Sequence, residues 1–208
     1  MSNTLRIVFC LAVACVLGSM ARAGEMETFL TGEMAKLKVL EVPVSLANHQ
    51  ITYPDGSIHA LKEKSGKVLL VNLWSKGCVP CKAEMKDFSI LQRDLGGDRF
   101  EIVALPMETR GIGSVRKILK SWGAENLQPY GNDPKALAGV LYAEGLFSEK
   151  KISFVYPTTY LVSKSGKILA IRQGFLHWDS EEARALITAL MDDEFSGGEN
   201  HPNPVVNP

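Results

Sequence analysis

The chain has 208 residues, 23 Lys+Arg against 23 Asp+Glu, with 46% hydrophobic and 22% charged residues, the proportions of an ordinary globular protein long enough for a sizeable core. Zero formal net charge speaks against nucleic acid, whose phosphates call for a basic face, and against a polybasic membrane surface. Four cysteines are too few for a small disulfide scaffold, and with two of them at positions 10 and 15 only one CxxC pair remains where such a zinc site needs two.

Residues 1–23 read as a secretory signal peptide. Arg6 supplies the positive start, and Ile7 to Leu17 form an apolar run too short to span a hydrocarbon core of roughly 30 Å comfortably. Ala21-Arg22-Ala23 then gives a small-residue cleavage signal before Gly24. The alternative is an uncleaved N-terminal anchor; lipidation at Cys15 is disfavoured by Ala12, where a larger aliphatic residue is expected. Cleavage leaves 21 Lys+Arg against 23 Asp+Glu, a net charge of −2, and leaves Cys78 and Cys81 as the only thiols. An exported, periplasmic protein is expected.

Residues 25–40 are a short helical or irregular lead-in. Tyr53-Pro54-Asp55-Gly56 is a turn signature inside Pro43 to His59, which predicts a β-hairpin. Val68 to Trp74 is an apolar run with the character of a buried central strand. A helix is expected from near Cys78 to about Leu95, with Met85, Phe88, Leu91 and Leu95 as its buried stripe and Gly96-Gly97 as its stop. Phe100 to Pro106 is the next strand; Ser114 to Trp122 and Lys135 to Tyr142 are helices. Thr158 to Val162 and Ile168 to Ile171 are strands joined by a Lys164-Ser165-Gly166-Lys167 turn. The last helix begins at Asp179-Ser180-Glu181-Glu182, where Asp179 and Glu182 have capping-box spacing, and ends near Met191. The tail from Ser196 is polar and proline-rich and is expected to be disordered. This order predicts an α/β domain over 24–195, a central mixed sheet flanked by helices on both faces.

The chemistry centres on Cys78-Val79-Pro80-Cys81. A bare CxxC can be half a zinc site, a redox pair or an accident. Here it follows a buried strand and opens a helix, and Pro80 is tolerated because the first helical N–H groups have no partner to lose. The positive end of the helix favours a Cys78 thiolate, so Cys78 is the attacking thiol and the more shielded Cys81 resolves. A purely structural disulfide would constrain the unfolded chain little, since its loop is so short. His49, His59, His177 and His201 show no paired metal spacing, and no metal or other cofactor is expected. Glu84, one helical turn beyond Cys81, is either a proton partner for the pair or a solvated first-turn acid. Pro157 in Tyr156-Pro157-Thr158-Thr159 heads a strand, as an edge residue or as a cis bond facing a functional site. The methionines and Trp122 are read as packing.

Gly66 to Trp74, Cys78 to Met85, Tyr156 to Thr159 and Gly174 to Ser180 together resemble the TlpA-like branch of the thioredoxin superfamily, which includes the ResA-type and CcmG-type reductases of cytochrome c maturation. The resemblance covers roughly residues 25–193. It implies a thioredoxin-like fold with an added N-terminal hairpin and a helical insertion. It also implies an exported, often membrane-tethered enzyme that reduces disulfides of client proteins and draws electrons from an upstream membrane donor. By that analogy Pro157 is a cis-proline opposite the cysteines, and Glu84 matches a carboxylate that tunes the thiols. Trp74, Val79, Pro80, Tyr156, Pro157 and Thr158 are then the client-binding surface. Asn72 stands where thioredoxin proper carries a buried acid.

Three departures bear on the partner. Gly77 replaces a usual tryptophan, removing an apolar contact surface beside the thiol. Lys86 replaces a usual proline, which predicts a straighter helix. The segment from Phe147 to Tyr156 is about ten residues longer than the pattern suggests, and Phe147, Ile152, Phe154, Val155 and Tyr156 are candidates for a wall beside the site. The expected function is protein-disulfide reduction. The alternatives are a thiol oxidase or isomerase of the same fold, a Cu(I)-handling module using the two soft thiols, and a non-catalytic binding module.

Overall fold

The computed structural model describes residues 26–108, 110–146 and 155–192. The leader, the tail and the Phe147, Ile152 and Phe154 part of the expected wall lie outside them. Among the described residues the strands and helices used below follow in order: β1 Lys38–Ser45, β2 Gln50–Thr52, β3 Ile58–Ala60, β4 Val68–Trp74, α1 Val79–Leu95, β5 Phe100–Pro106, α2 Ile112–Ser121, β6 Gly131–Asn132, α3 Pro134–Ala143, β7 Thr158–Val162, β8 Lys167–Gln173 and α4 Glu181–Met191. Short 3-10 turns occupy Gly32–Lys36 and Leu61–Lys64.

The main sheet has the order β1-β8-β7-β4-β5, parallel only between β4 and β5. The parallel pair is joined through α1, as a parallel connection requires a crossover. The expected mixed sheet is present. Strand β4 is paired on both edges by β7 and β5 and packed on both faces by helices, so every residue from Val68 to Trp74 is buried. Its period of two sorts the core into two layers. Val68, Leu70 and Trp74 join Phe88 and Leu91 of α1, Val115 of α2 and Leu186 of α4 on one face. Leu69, Val71 and Leu73 join Leu137 and Leu141 of α3, Tyr130 and Ile51 on the other. Asn72 therefore falls on the face beneath α1.

The predicted hairpin is β2 and β3, closed at Tyr53-Pro54-Asp55-Gly56, where Gly56 takes the left-handed φ of 90° and donates to the Tyr53 carbonyl at 2.9 Å. It extends through β6 into a second, three-stranded sheet. Two strands go beyond the sequence reading. Strand β1, in the region read as an irregular lead-in and the start of the hairpin, lies at the sheet edge and pairs with β8. Strand β6 has two residues, too few to carry periodicity. The cap of α4 also differs: Ser180 accepts from the Ala183 N–H, while Asp179 pairs with Arg184. The arginine outcompetes the backbone for that carboxylate.

Candidate active site

Strand β4 ends at Trp74, and three residues later the chain enters α1. Cys78 is the N-cap of that helix, and its Sγ accepts the Cys81 N–H at 3.1 Å. A sulfur in this position faces unpartnered N–H groups and the positive end of the helix. Cys78 and Cys81 form a disulfide with Cα atoms 5.2 Å apart. Cys78 is half-buried and Cys81 is fully buried, so only the first sulfur can meet another molecule.

The stripe of α1 that faces the core is Cys81, Glu84, Met85, Phe88 and Leu91, spaced by three and four residues. Glu84 belongs to it and is completely buried, so the alternative of a solvated first-turn acid does not hold. The Trp178 Nε1–H donates to its Oε1 at 2.8 Å, the Asn72 Nδ2–H donates to its Oε2 at 2.9 Å, and the Leu176 N–H donates as well. No cation reaches it among the described residues. Burial raises its pKa from 4.5 to about 8, and the three neutral donors only partly offset that rise. Glu84 thus carries a proton at neutral pH.

Asn72 bridges further, donating to Thr159 Oγ1 at 2.9 Å, while its own Oδ1 has no partner. Amide orientation is set by the hydrogen-bond network. With both donors of this amide spent on Glu84 and Thr159, this orientation suits an ionised Glu84. Rotated by half a turn, the same amide presents its oxygen to a protonated one.

The Tyr156–Pro157 bond is cis. The pairing of Leu73 with Thr158 places Pro157 at the end of the sheet where β4 hands over to the Cys78 loop. The Pro157 carbonyl accepts from the Gly174 N–H at 2.7 Å, and Thr158 Oγ1 donates to the Val155 carbonyl at 2.6 Å. The six residues expected to contact clients divide sharply. Val79 is 80% exposed, Pro80 is exposed and Tyr156 is partly so. Trp74 is fully buried and packs edge-on against Trp122 with ring centroids 5.3 Å apart; it supports the loop from below and offers no client surface. Pro157 and Thr158 are buried as well. Val155, of the expected wall, is 45% exposed. Gly77 has open space where a Cβ would be, and Lys82 and Lys86 are exposed on the outer face of α1.

Sequence reasoning gave Trp178 no role, and Thr159 none. For Trp178 a signal existed: a buried indole N–H needs an acceptor, and Glu84 is the acid in the apolar stripe. For Thr159 only the strand register reveals the contact. Among the described residues no group of His, Cys, Asp and Glu could hold a metal ion, and no helix is long and apolar enough to cross a membrane.

Comparison with known proteins agrees with this geometry. Residues 44–171 match the AhpC/TSA family. The chain is 24% identical over 152 residues to the thiol-disulfide oxidoreductase ResA of Bacillus cereus, covering 68% of this chain and 75% of that protein. It is 29% identical over 128 residues to the thiol-disulfide oxidoreductase ResA of Oceanobacillus iheyensis, covering 62% of this chain and 60% of that one. Among solved structures, a thiol:disulfide interchange protein of the thioredoxin family from Chlorobium tepidum superposes with a TM-score of 0.56 at 18% identity, covering 72% of this chain and 97% of that one. The chain belongs to the AhpC/TSA family, and its thioredoxin-like fold and paired cysteines are those of a thiol–disulfide oxidoreductase.

Proposed function

We propose that the protein is exported to the periplasm and reduces disulfides of specific client proteins, of the kind handled in cytochrome c or oxidase maturation. The observation that carries this is the asymmetry of the pair: an accessible sulfur at a helix N-terminus with its partner fully buried behind it. The Cys78 thiolate attacks one sulfur of the client disulfide, forming a mixed disulfide and releasing the first client thiolate. Cys81 loses its proton and attacks the Cys78 sulfur, closing the Cys78–Cys81 bond and releasing the second client thiolate. Two electrons pass to the client, and an upstream membrane donor restores the dithiol. Glu84, one turn from Cys81 and out of contact with water, is the group placed to exchange protons with the pair. The leader supports export, either as a cleaved signal or as a tether.

The direction of electron flow follows from which redox form is the more stably folded. The helix terminus favours a Cys78 thiolate and pushes toward oxidant behaviour. Glu84 is protonated at neutral pH and adds no negative charge there; as it ionises towards pH 8 its carboxylate opposes a second negative charge and pushes back. The oxidised protein is expected to unfold at higher denaturant concentration than the reduced one at the same pH and with similar m-values. A clearly more stable reduced form would make the enzyme a thiol oxidase. Clients are identified by trapping from periplasm with Cys81→Ser, which should accumulate mixed disulfides through Cys78 that a reductant releases. A Cys81→Ser protein that captures nothing would overturn the reading.

A further inference from the structure

The turn between β4 and α1 carries the attacking sulfur, yet Lys76 and Gly77 are exposed and Gly77 has no side chain. What holds this turn comes from the neighbouring strand. The Met107 N–H, just past β5, donates to the Trp74 carbonyl at 2.8 Å, continuing the parallel pairing one step beyond the sheet. The next residue, Glu108, then faces the turn. Ser75 Oγ donates to Glu108 Oε1 at 3.0 Å, and the Lys76 N–H donates to the same carboxylate. Arg110 Nε donates to Glu108 Oε2 at 2.6 Å and fixes the carboxylate from the other side. Ser75 in turn accepts the Cys78 N–H on its carbonyl at 3.1 Å. One carboxylate thus grips two successive residues of the turn, and the first of them is bonded directly to Cys78.

We propose that Glu108 is a positioning residue for Cys78: by tethering Ser75 and Lys76 it holds the Cys78 sulfur in the N-cap seat of α1. This rests on the reading of Cys78 as the attacking thiol. The carboxylate is suited to a standing tether. Burial pushes its pKa up, but the hydrogen bonds from Arg110 and Ser75 outweigh that and hold it below the usual carboxylate range. It stays an acceptor across the working pH.

A positioning role and a mere charge effect predict opposite signs. If Glu108 acts only as a nearby negative charge, removing it eases thiolate formation and lowers the Cys78 pKa. If it positions the turn, removing it loosens the N-cap seat, raises the Cys78 pKa and slows attack at neutral pH.

The test is the pH profile of iodoacetamide alkylation of the reduced mature protein, with the labelled cysteine mapped by mass spectrometry. Glu108→Ala should slow Cys78 labelling at pH 7 by at least about threefold and move the profile to higher pH. Glu108→Gln, which loses the charge but keeps an oxygen acceptor, should stay close to wild type. Ser75→Ala removes one tether while leaving the carboxylate in place, and should move the profile in the same direction by less. It also keeps the test alive if Glu108→Ala does not fold. A faster Cys78 in both Glu108 variants, or an unmoved profile with only a lower unfolding midpoint, overturns the proposal. Wild-type labelling at Cys81 sinks the attacking-thiol reading itself, and the tether with it. Labelling at Cys78 that Glu108→Ala and Ser75→Ala leave unchanged sinks the tether alone.

Discussion

Two glutamates of similar burial sit in the two core layers and behave in opposite ways. Glu84 is completely buried beside the disulfide and meets only neutral donors: an indole, an amide and a backbone N–H. Glu101 on β5, 8% exposed, meets Lys64 Nζ at 2.7 Å and Lys67 Nζ at 3.3 Å and also accepts from the Tyr130 hydroxyl. Burial pushes both pKa values up. At Glu101 the hydrogen bonds from Lys64 and Tyr130 and the two lysine charges win, and the carboxyl stays below its ordinary 4.5. At Glu84 nothing charged opposes burial, and the value rises to about 8. At Glu84 the hydrogen bonds from neutral groups favour the ionised form too weakly to offset burial; at Glu101 a hydrogen bond from a neutral hydroxyl is joined by two ammonium groups, and together they exceed it. The first arrangement leaves a group that can take or give a proton near neutrality. The second makes a fixed strut, with Lys64 also lying over the rings of Tyr53 and Tyr130.

The largest effect should come from breaking the strut. Glu101→Ala leaves the Lys64 charge buried against two aromatic rings with no carboxylate, and should cost about 3–5 kcal/mol in denaturant unfolding. A loss below about 1 kcal/mol would show that Lys64 escapes to water and that the pair is not buried in effect.

The pH dependence should separate the two acids by sign. In the unfolded chain Glu84 titrates near 4.5 and in the folded one near 8, so between those values the folded state holds one more proton. The stability of the wild type relative to Glu84→Gln should therefore be greatest below pH 4.5 and fall as pH rises towards 8, by at most about 1.4 kcal/mol per pH unit. Glu101 runs the other way: its contribution is present above pH 4.5 and is lost as pH falls through its lowered folded value. Unfolding midpoints of wild type, Glu84→Gln and Glu101→Gln from about pH 3 to about pH 9 check both, and parallel wild-type and Glu84→Gln curves would remove the raised pKa. The alkylation profile of Glu84→Gln should also change shape, read as a whole curve because thiols and carboxyl titrate together.

The smallest effect belongs to Lys67, which is more exposed and farther from Glu101 than Lys64 is. Lys67→Met should cost about 0.5 kcal/mol, and less at high salt. A cost equal to that of removing Glu101 would mean that Lys67, not Lys64, sets the behaviour of this acid.

Local chemistry determined much of this protein in advance. The run from Val68 to Trp74, apolar but for Asn72, reads as a covered strand, and Gly96 and Gly97 as the end of the helix after it. Cys78 and Cys81 lie one turn apart at the start of a helix, so a separation suited to a disulfide follows from their spacing and the greater exposure of Cys78 from its place at the helix start. These features depend on neighbours within a few positions, which a chain carries in its order. What only tertiary structure decided are the contacts between distant segments. Trp178 reaches Glu84 across 94 positions and Asn72 reaches Thr159 across 87; the indole signals only that some acceptor is needed, and the second contact has no local signature. The edge placement of β1 needs β8, and the burial of Trp74 needs Trp122 beneath it. The ionisation of Glu84 belongs to this second class. Its charge state depends on whether any cation comes near once the chain has closed around it, and that is a property of the packed layers and of no single segment.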